Sequence, residues 1–308
     1  MLQYLIILLD DTSTSFCHYE NGKKEGKLMP LDVLRKGIRF GMTENLMIQF
    51  VYPKNDLPQE YKDEVETIDH SKIKPVADGA DVLVLDEPAK MEADVPVVLR
   101  VSKQTLFEKA SEVAEMLKGV PRLNIVITDV ETFSEEDFSQ YKSVLERLSA
   151  EVERIYLEGK SPQLNLLTDR MMLSEMNNCG AGDMSVTLAP NGKFYVCPAF
   201  YYENEEDSIG DLEHGLDIKN KQLYRLEYAP ICRHCEAWQC KRCVWLNRKT
   251  TLEVNTPSHE QCVVAHLERN ASKALLESIR KHGTFLPEKE DIKEIDYLDP
   301  FDKRDTWQ

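Results

Sequence analysis

The sequence predicts an α/β protein with a mostly parallel sheet, open or curled into a partial barrel, followed by a small unit organised by metal. Three observations predict it. Short apolar runs alternate with amphipathic segments over the first 170 residues, the pattern of successive βα units. That alternation stops near Met171. Seven of the eight cysteines then fall between Cys179 and Cys262.

Each element has its own signal. Tyr4–Leu9 is a compact apolar run of buried-strand length, closed by Asp10 and Asp11. Leu31–Phe40 sets Leu31, Leu34 and Ile38 at helical spacing, and Pro30 suits a helix start. Leu46–Tyr52 is a second strand, ended by Pro53, and Val82–Leu85 and Val95–Val101 are two more. Lys103–Leu117 carries Leu106, Ala110, Val113 and Leu117 on one helical face. Leu123–Thr128 is a strand. Ser134–Leu157 is a long amphipathic helix with Glu135 and Glu136 at its positive end, and Leu164–Leu167 is a short strand after it.

The expected division is 1–170 for the α/β part and 171–282 for the cysteine-rich unit, which ends in a helix over Ser272–Lys281. An acidic tail, 283–308, completes the chain. From Pro287 it is expected to be flexible or loosely docked, with Tyr297, Phe301 and Trp307 as its apolar anchors.

Composition narrows the function. A hydrophobic content of 42% is enough for a core. A net charge of -16 argues against a nucleic-acid surface, which needs an excess of Lys and Arg. No apolar run is long enough to cross a bilayer, and the amino-terminal run lacks the basic leader and cleavage site of a signal peptide. A cytoplasmic location is therefore expected. In that reducing compartment clustered cysteines read as metal ligands instead of disulfides.

The cysteines form three pieces. Cys179 and Cys197 flank a β-hairpin in which Val186 and Leu188 alternate, Pro190-Asn191-Gly192 turns, and Phe194 and Val196 alternate again. Antiparallel pairing brings the outer ends together, so both thiols can serve one site. Cys232, Cys235, Cys240 and Cys243 form a tight run of two Cys-x-x-Cys pairs, and Cys262 follows a loop containing Pro257. Zinc is the competing metal, with His234, His259 or His266 as spare ligands. A closed tetrahedron built from two pairs only four residues apart is cramped, so the spacing favours iron–sulfur clusters. Lys241, Arg242, Arg248 and Lys249 read as a solvated basic face, or as groups that tune a cluster or meet an acidic peptide. Asp10, Asp11, Asp129 and Glu131 read as solvated carboxylates near strand ends. No Gly-rich phosphate loop follows a strand.

The order Cys179-x12-Gly192-x4-Cys197, four-cysteine run, last Cys262 resembles the SPASM domain of radical SAM peptide maturases. The resemblance implies two auxiliary four-iron clusters. It assigns Cys232, Cys235, Cys240 and Cys262 to one, and Cys179, Cys197 and Cys243 to the other. The second set is one ligand short, a place for Cys17, a non-cysteine side chain or a substrate thiol. The run here is Cys-x2-Cys-x4-Cys-x2-Cys, shorter than the family's Cys-x2-Cys-x5-Cys-x3-Cys.

The upstream motifs depart further. Where radical SAM enzymes carry Cys-x3-Cys-x2-Cys, this chain reads Ser13-Thr-Ser-Phe-Cys17-His-Tyr-Glu20, and Val51-Tyr-Pro-Lys-Asn replaces the Gly-Gly-Glu segment. S-adenosylmethionine is therefore not expected as a cofactor. A degenerate partial (β/α) barrel of radical SAM type, joined to the segments QCKRCVWLN, EVNTPSHEQC and AHLERNAS, resembles the CXXX repeat peptide maturase family. That resemblance implies a maturation component for a ribosomally made, cysteine-rich precursor peptide. It would hold one or two 4Fe-4S clusters and act beside a radical SAM maturase, and it leaves the catalytic residues unassigned. The alternative is a zinc-stabilised peptide-binding adaptor without redox activity.

Overall fold

The computed structural model describes residues 2–15, 23 and 25–292. Its first half is the expected succession of strands and helices: β1 (Tyr4–Leu8), α1 (Leu31–Thr43), β2 (Met47–Val51), α2 (Gln59–Val65), β3 (Ser71–Lys74), β4 (Val82–Leu85) and β5 (Val97–Val101). Then come α3 (Lys103–Glu108), α4 (Ala110–Met116), β6 (Arg122–Ile127), α5 (Glu135–Leu157), β7 (Gln163–Leu164) and α6 (Thr168–Met172). The cysteine-rich half supplies β8 (Ser185–Leu188), β9 (Phe194–Tyr195), α7 (Pro198–Glu203), a small ribbon of β10 (Gly210–Asp211) and β11 (Gly215–Leu216), α8 (Val244–Thr251) and α9 (His259–Arg280).

Nine strands form one sheet in the order β7-β6-β5-β4-β3-β2-β1-β8-β9. Every neighbouring pair is parallel except β8 with β9. Strands one to seven are laid down in chain order, as in an opened barrel. Strand alternation gives the sheet two faces. Leu5 and Ile7 pack outward with Leu34 and Ile38 of α1. Ile6, Val82, Val98, Asn124 and Val126 of β1, β4, β5 and β6 line one inner cavity, which makes the sheet concave. This is the expected α/β partial barrel. Its degeneracy is visible between β3 and β4 and between β4 and β5, where no helix intervenes.

The β8–β9 hairpin, from the cysteine-rich half, pairs with β1 and so fixes that half to the barrel. The turn falls where Pro190-Asn191-Gly192 places it. Gly192 takes φ +78 and its N–H donates to the Ala189 carbonyl at 2.9 Å. Helix α5 is capped by Ser134 and Asp137 in a reciprocal capping box. The Lys103 ammonium, with help from Ser134, holds the Asp137 carboxyl down at about 2.

Several elements differ from expectation. β3 and α2 carry no clear sequence signal, because β3 is a half-polar SKIK run and α2 about two charged turns. The helix expected over Lys103–Leu117 breaks at Lys109 into α3 and α4. The strand expected over Leu164–Leu167 is two residues long, since the chain turns at Leu166 and Leu167 into α6. The final helix starts at His259, well before Ser272, because Ser258 and Gln261 form a second capping box there. Of the tail, 283–292 is docked: Arg280 donates to the carbonyls of Phe285, Leu286 and Lys289, and Ile292 is buried. Residues 293–308, with Tyr297, Phe301 and Trp307, lie outside the described residues.

Helix α1 sits close on the sheet because it presents Gly37 and Gly41 to it. A Cβ at Gly41 would stand 2.7 and 2.9 Å from two Ile48 side-chain carbons. Gly41→Val is expected to destabilise the chain by about 1–3 kcal/mol through overpacking. Urea unfolding reads the loss, and a wild-type midpoint would contradict this packing.

Candidate metal centre

The four-cysteine run is irregular backbone folded into tight turns. The Cys235 amide donates to the Cys232 carbonyl at 3.0 Å, and the Cys240 amide to the Ala237 carbonyl at 3.0 Å. Each turn aims the next amides at sulfur: Ala237 N–H donates to Cys235 Sγ and Arg242 N–H to Cys240 Sγ, both at 3.4 Å. Such amide–sulfur bonds favour the thiolate. Burial acts the other way. It pushes the Cys232 thiol up to about 12, with Cys235 adding to the rise and Arg242 opposing it. Cys240 is raised by burial and then by Cys232 and Cys235. These three thiols therefore lie within one another's fields.

Cys262 is carried to the same side by α9. It sits one helical turn before His266, and His266 Nε2 is 3.7 Å from Cys235 Sγ. The body of α9 lies along α5, where Tyr141 donates to Glu268 at 2.8 Å and Ser278 to Glu153 at 2.7 Å. The helix thus anchors the cysteine run to the barrel wall.

The second set meets at the inner cavity. Cys179, Cys197 and Cys243 line it together with Cys240, and its volume is about 510 Å³. Cys197 ends the hairpin at the head of α7, Cys243 caps α8, and the Cys179 amide donates to the Lys241 carbonyl at 3.4 Å. The hairpin and the run are brought to one place. Cys17, the cysteine held in reserve for the missing ligand, lies outside the described residues.

The basic residues near the run are not one solvated face. Arg242 is 1% exposed, the largest of the fully buried side chains. Its Nη2 donates to the Tyr224 carbonyl, whereas Nε and Nη1 have no hydrogen-bond partner among the described residues. Burial lowers its pKa, and Cys232, Cys179 and Cys240 act against that fall. Arg170 is also buried, stacked 3.8 Å from the Trp238 ring, and lowered to about 10 by burial and by Arg269. Lys241 is lowered by burial beside Asp169. Only Arg248 and Lys249 fit the surface expectation, pairing with Asp207 and Glu131. Asp10 and Asp11 are buried, not solvated: Asp10 accepts from Thr12 and Ser13, and Asp11 from the Lys27 amide.

These features fit a bound anionic group. A buried guanidinium with two unpartnered N–H groups calls for negative charge beside it. Buried thiols with raised pKa values become thiolates only when a metal displaces their protons. Among the described residues, no three or more His, Cys, Asp or Glu side chains gather tightly enough to hold a single metal ion. Cys179, Cys197, Cys240 and Cys243 instead line a cavity of about 510 Å³.

One feature of the cavity had no signal in the cysteine pattern. Glu268, buried in its wall, accepts from Tyr141 Oη and from Gln239 Nε2 at 3.3 Å. Burial raises its carboxyl to about 7, against the pull of Tyr141 and Gln239. A helical reading begun at Ser258 would have placed Gln261, Ala265 and Glu268 on one inward stripe.

The fold has solved counterparts. Native anSMEcpe with bound AdoMet and the Cp18Cys peptide superposes with a TM-score of 0.62 at 12% identity, covering 91% of this chain and 100% of that one. Hexahistidine-tagged anSMEcpe with bound AdoMet gives 0.64 at 13% identity, covering 91% and 96%. Streptococcus suis SuiB bound to precursor peptide SuiA gives 0.49 at 11%, covering 85% and 76%. No protein-family model matches the chain, and no curated protein matches it. Among the described residues, no helix is long and apolar enough to cross a membrane.

Proposed function

We propose that this chain is a maturation component for a ribosomally made, cysteine-rich peptide, holding iron–sulfur clusters and working beside a radical SAM partner. One observation carries the reading: Cys179, Cys197, Cys240 and Cys243 line one partial-barrel cavity, with the buried, half-satisfied Arg242 among them. Cys232, Cys235, Cys240 and Cys262 would hold one cluster, and Cys179, Cys197 and Cys243 the other. When bound, such clusters supply one-electron transfer and an iron that accepts a thiolate.

The chain's own residues do the rest. The amides of Ala237 and Arg242 stabilise thiolate sulfur, Arg242 and Arg170 balance negative charge, and Cys197 is buried beside the cavity. That cavity has room for a peptide side chain, and Gln239 Oε1 in its wall, without a partner among the described residues, can accept from a backbone amide. Further support is the fold shared with anSMEcpe, which is bound to AdoMet and the Cp18Cys peptide. The segment after β1 keeps one cysteine, Cys17, so this chain does not cleave AdoMet by itself.

The test uses a synthetic peptide with repeated cysteines and the anaerobically purified chain. Binding that weakens when the peptide's cysteines become serines, with no AdoMet cleavage by the reduced protein, is the expected result. AdoMet cleavage abolished by Cys17→Ala would replace this reading with an autonomous radical SAM enzyme. Stoichiometric zinc without brown absorbance, peptide binding intact, would replace it with the zinc-stabilised adaptor.

A further inference from the structure

We infer that Arg242 is a shared cationic clasp between the two cysteine sets, so that one side chain tunes both sites and links their occupancy. The inference rests on the reading of the cysteines as two metal sites and adds the residue that couples them. Arg242 stands between Cys240 and Cys243 in sequence, the two cysteines assigned to different sets. Its backbone N–H donates to Cys240 Sγ. It lines the inner cavity together with Cys240 of one set and Cys179, Cys197 and Cys243 of the other.

The backbone shows that the side chain is needed. Arg242 adopts φ +45, in the left-handed region that favours glycine. Glycine would hold that turn without steric cost, yet the position carries the bulkiest fully buried side chain among the described residues. The Tyr224 carbonyl fixes one end of the guanidinium through Nη2. Nε and Nη1 are buried and have no hydrogen-bond partner among the described residues. Two unsatisfied donors on a buried cation are costly unless anionic sulfur accepts from them. Thiolates or sulfides bound in the two sets supply those acceptors, and both sets then depend on the same cation.

The sign of the effect follows from charge. A nearby cation stabilises the more negative, reduced form of a cluster and raises its potential. Removing that cation must lower the potentials at both sets, not at one. Arg242→Gln keeps size and polarity while removing charge, and Arg242→Lys keeps charge while losing the fork.

The experiment is an EPR-monitored redox titration of the anaerobically loaded full chain, with iron and sulfide counted in parallel. Arg242→Gln is expected to move both midpoints to lower potential, and Arg242→Lys to move both by less. One midpoint shifting alone, or neither, overturns the shared clasp. If Arg242→Gln does not load, Arg242→Lys decides, its two midpoints moving together or not. A wild-type chain without iron refutes the cluster reading, and zinc titration then tests the clasp. Cys197→Ser and Cys232→Ser backgrounds isolate each set in that titration. Loss of the charge should weaken zinc at each set by about 10–100-fold, whereas unchanged affinity at either set overturns the inference.

Discussion

Cys232→Ser is expected to strip metal from its set and to unfold the segment between α7 and α8. The later part of that segment has little else to hold it. Between Asn204 and Cys243 the only regular elements are the two-residue strands β10 and β11 and three short 3-10 turns. Ile209, Leu212, Leu216, Ile218 and Tyr224 pack on the barrel's apolar clusters, whereas the later residues rely on a small cluster of Met176, Ala229 and Cys232, with Leu226, Cys235 and Trp238 packed against it. Such a patch is too small to order the irregular residues from 225 to 243, so bound metal is expected to contribute much of their stability. The loss is expected to be on the order of 10 kcal/mol, the scale of a structural metal site.

Limited proteolysis and metal counting read the outcome together. Cys232→Ser should lose the metal of its set and become cleavable between residues 204 and 243. Cys197→Ser should lose metal at the other set with its backbone protected, because Cys197 is buried at the β9–α7 junction against the barrel core. Full metal content and wild-type protease resistance in Cys232→Ser would show that this thiol is not a ligand.

The second large effect is on pH. Glu268 is buried, with its carboxyl raised from 4.5 to about 7. The folded chain therefore holds a proton that the unfolded chain has released between these values. Stability falls as pH rises from about 4.5 to about 7 and is flat on either side of that window. At about 1.4 kcal/mol per pKa unit, the loss is about 3 kcal/mol. The groups facing Glu268 pull in opposite directions: Tyr141 and Gln239 lower the pKa but do not offset burial, and Asp169 adds to the rise. Glu268→Gln removes the proton and should flatten that segment of the stability curve, leaving the variant more resistant to urea than wild type at pH 8. Parallel curves for the two proteins from pH 4.5 to 8 would contradict a protonated Glu268.

The barrel was legible because its strands announce themselves. Tyr4–Leu8 and Val97–Val101 are apolar on both faces, as a parallel sheet requires, and Ser134 with Asp137 marks the start of α5. β3 was not legible. Its SKIK run is stabilised by its neighbours β2 and β4, not by its own hydrophobicity. The cysteines were legible as a group, and the hairpin that joins Cys179 to Cys197 followed from a turn of Pro, Asn and Gly. Their surroundings were hidden for a physical reason: an arginine or glutamate in a sequence carries no mark of burial. Arg242 and Glu268 look like surface residues until α9 folds back along α5 and closes the wall behind them.

Iron–sulfur binding in two sets by the seven cysteines from Cys179 to Cys262 has one most direct test. It is anaerobic purification followed by iron and acid-labile sulfide analysis, with Mössbauer spectra of the isotopically labelled iron. The expected result is four-iron cluster signatures in two environments, the Cys232 set lost in Cys232→Ser and the Cys197 set lost in Cys197→Ser. A chain that folds with zinc alone, or with neither iron nor sulfide, would contradict it.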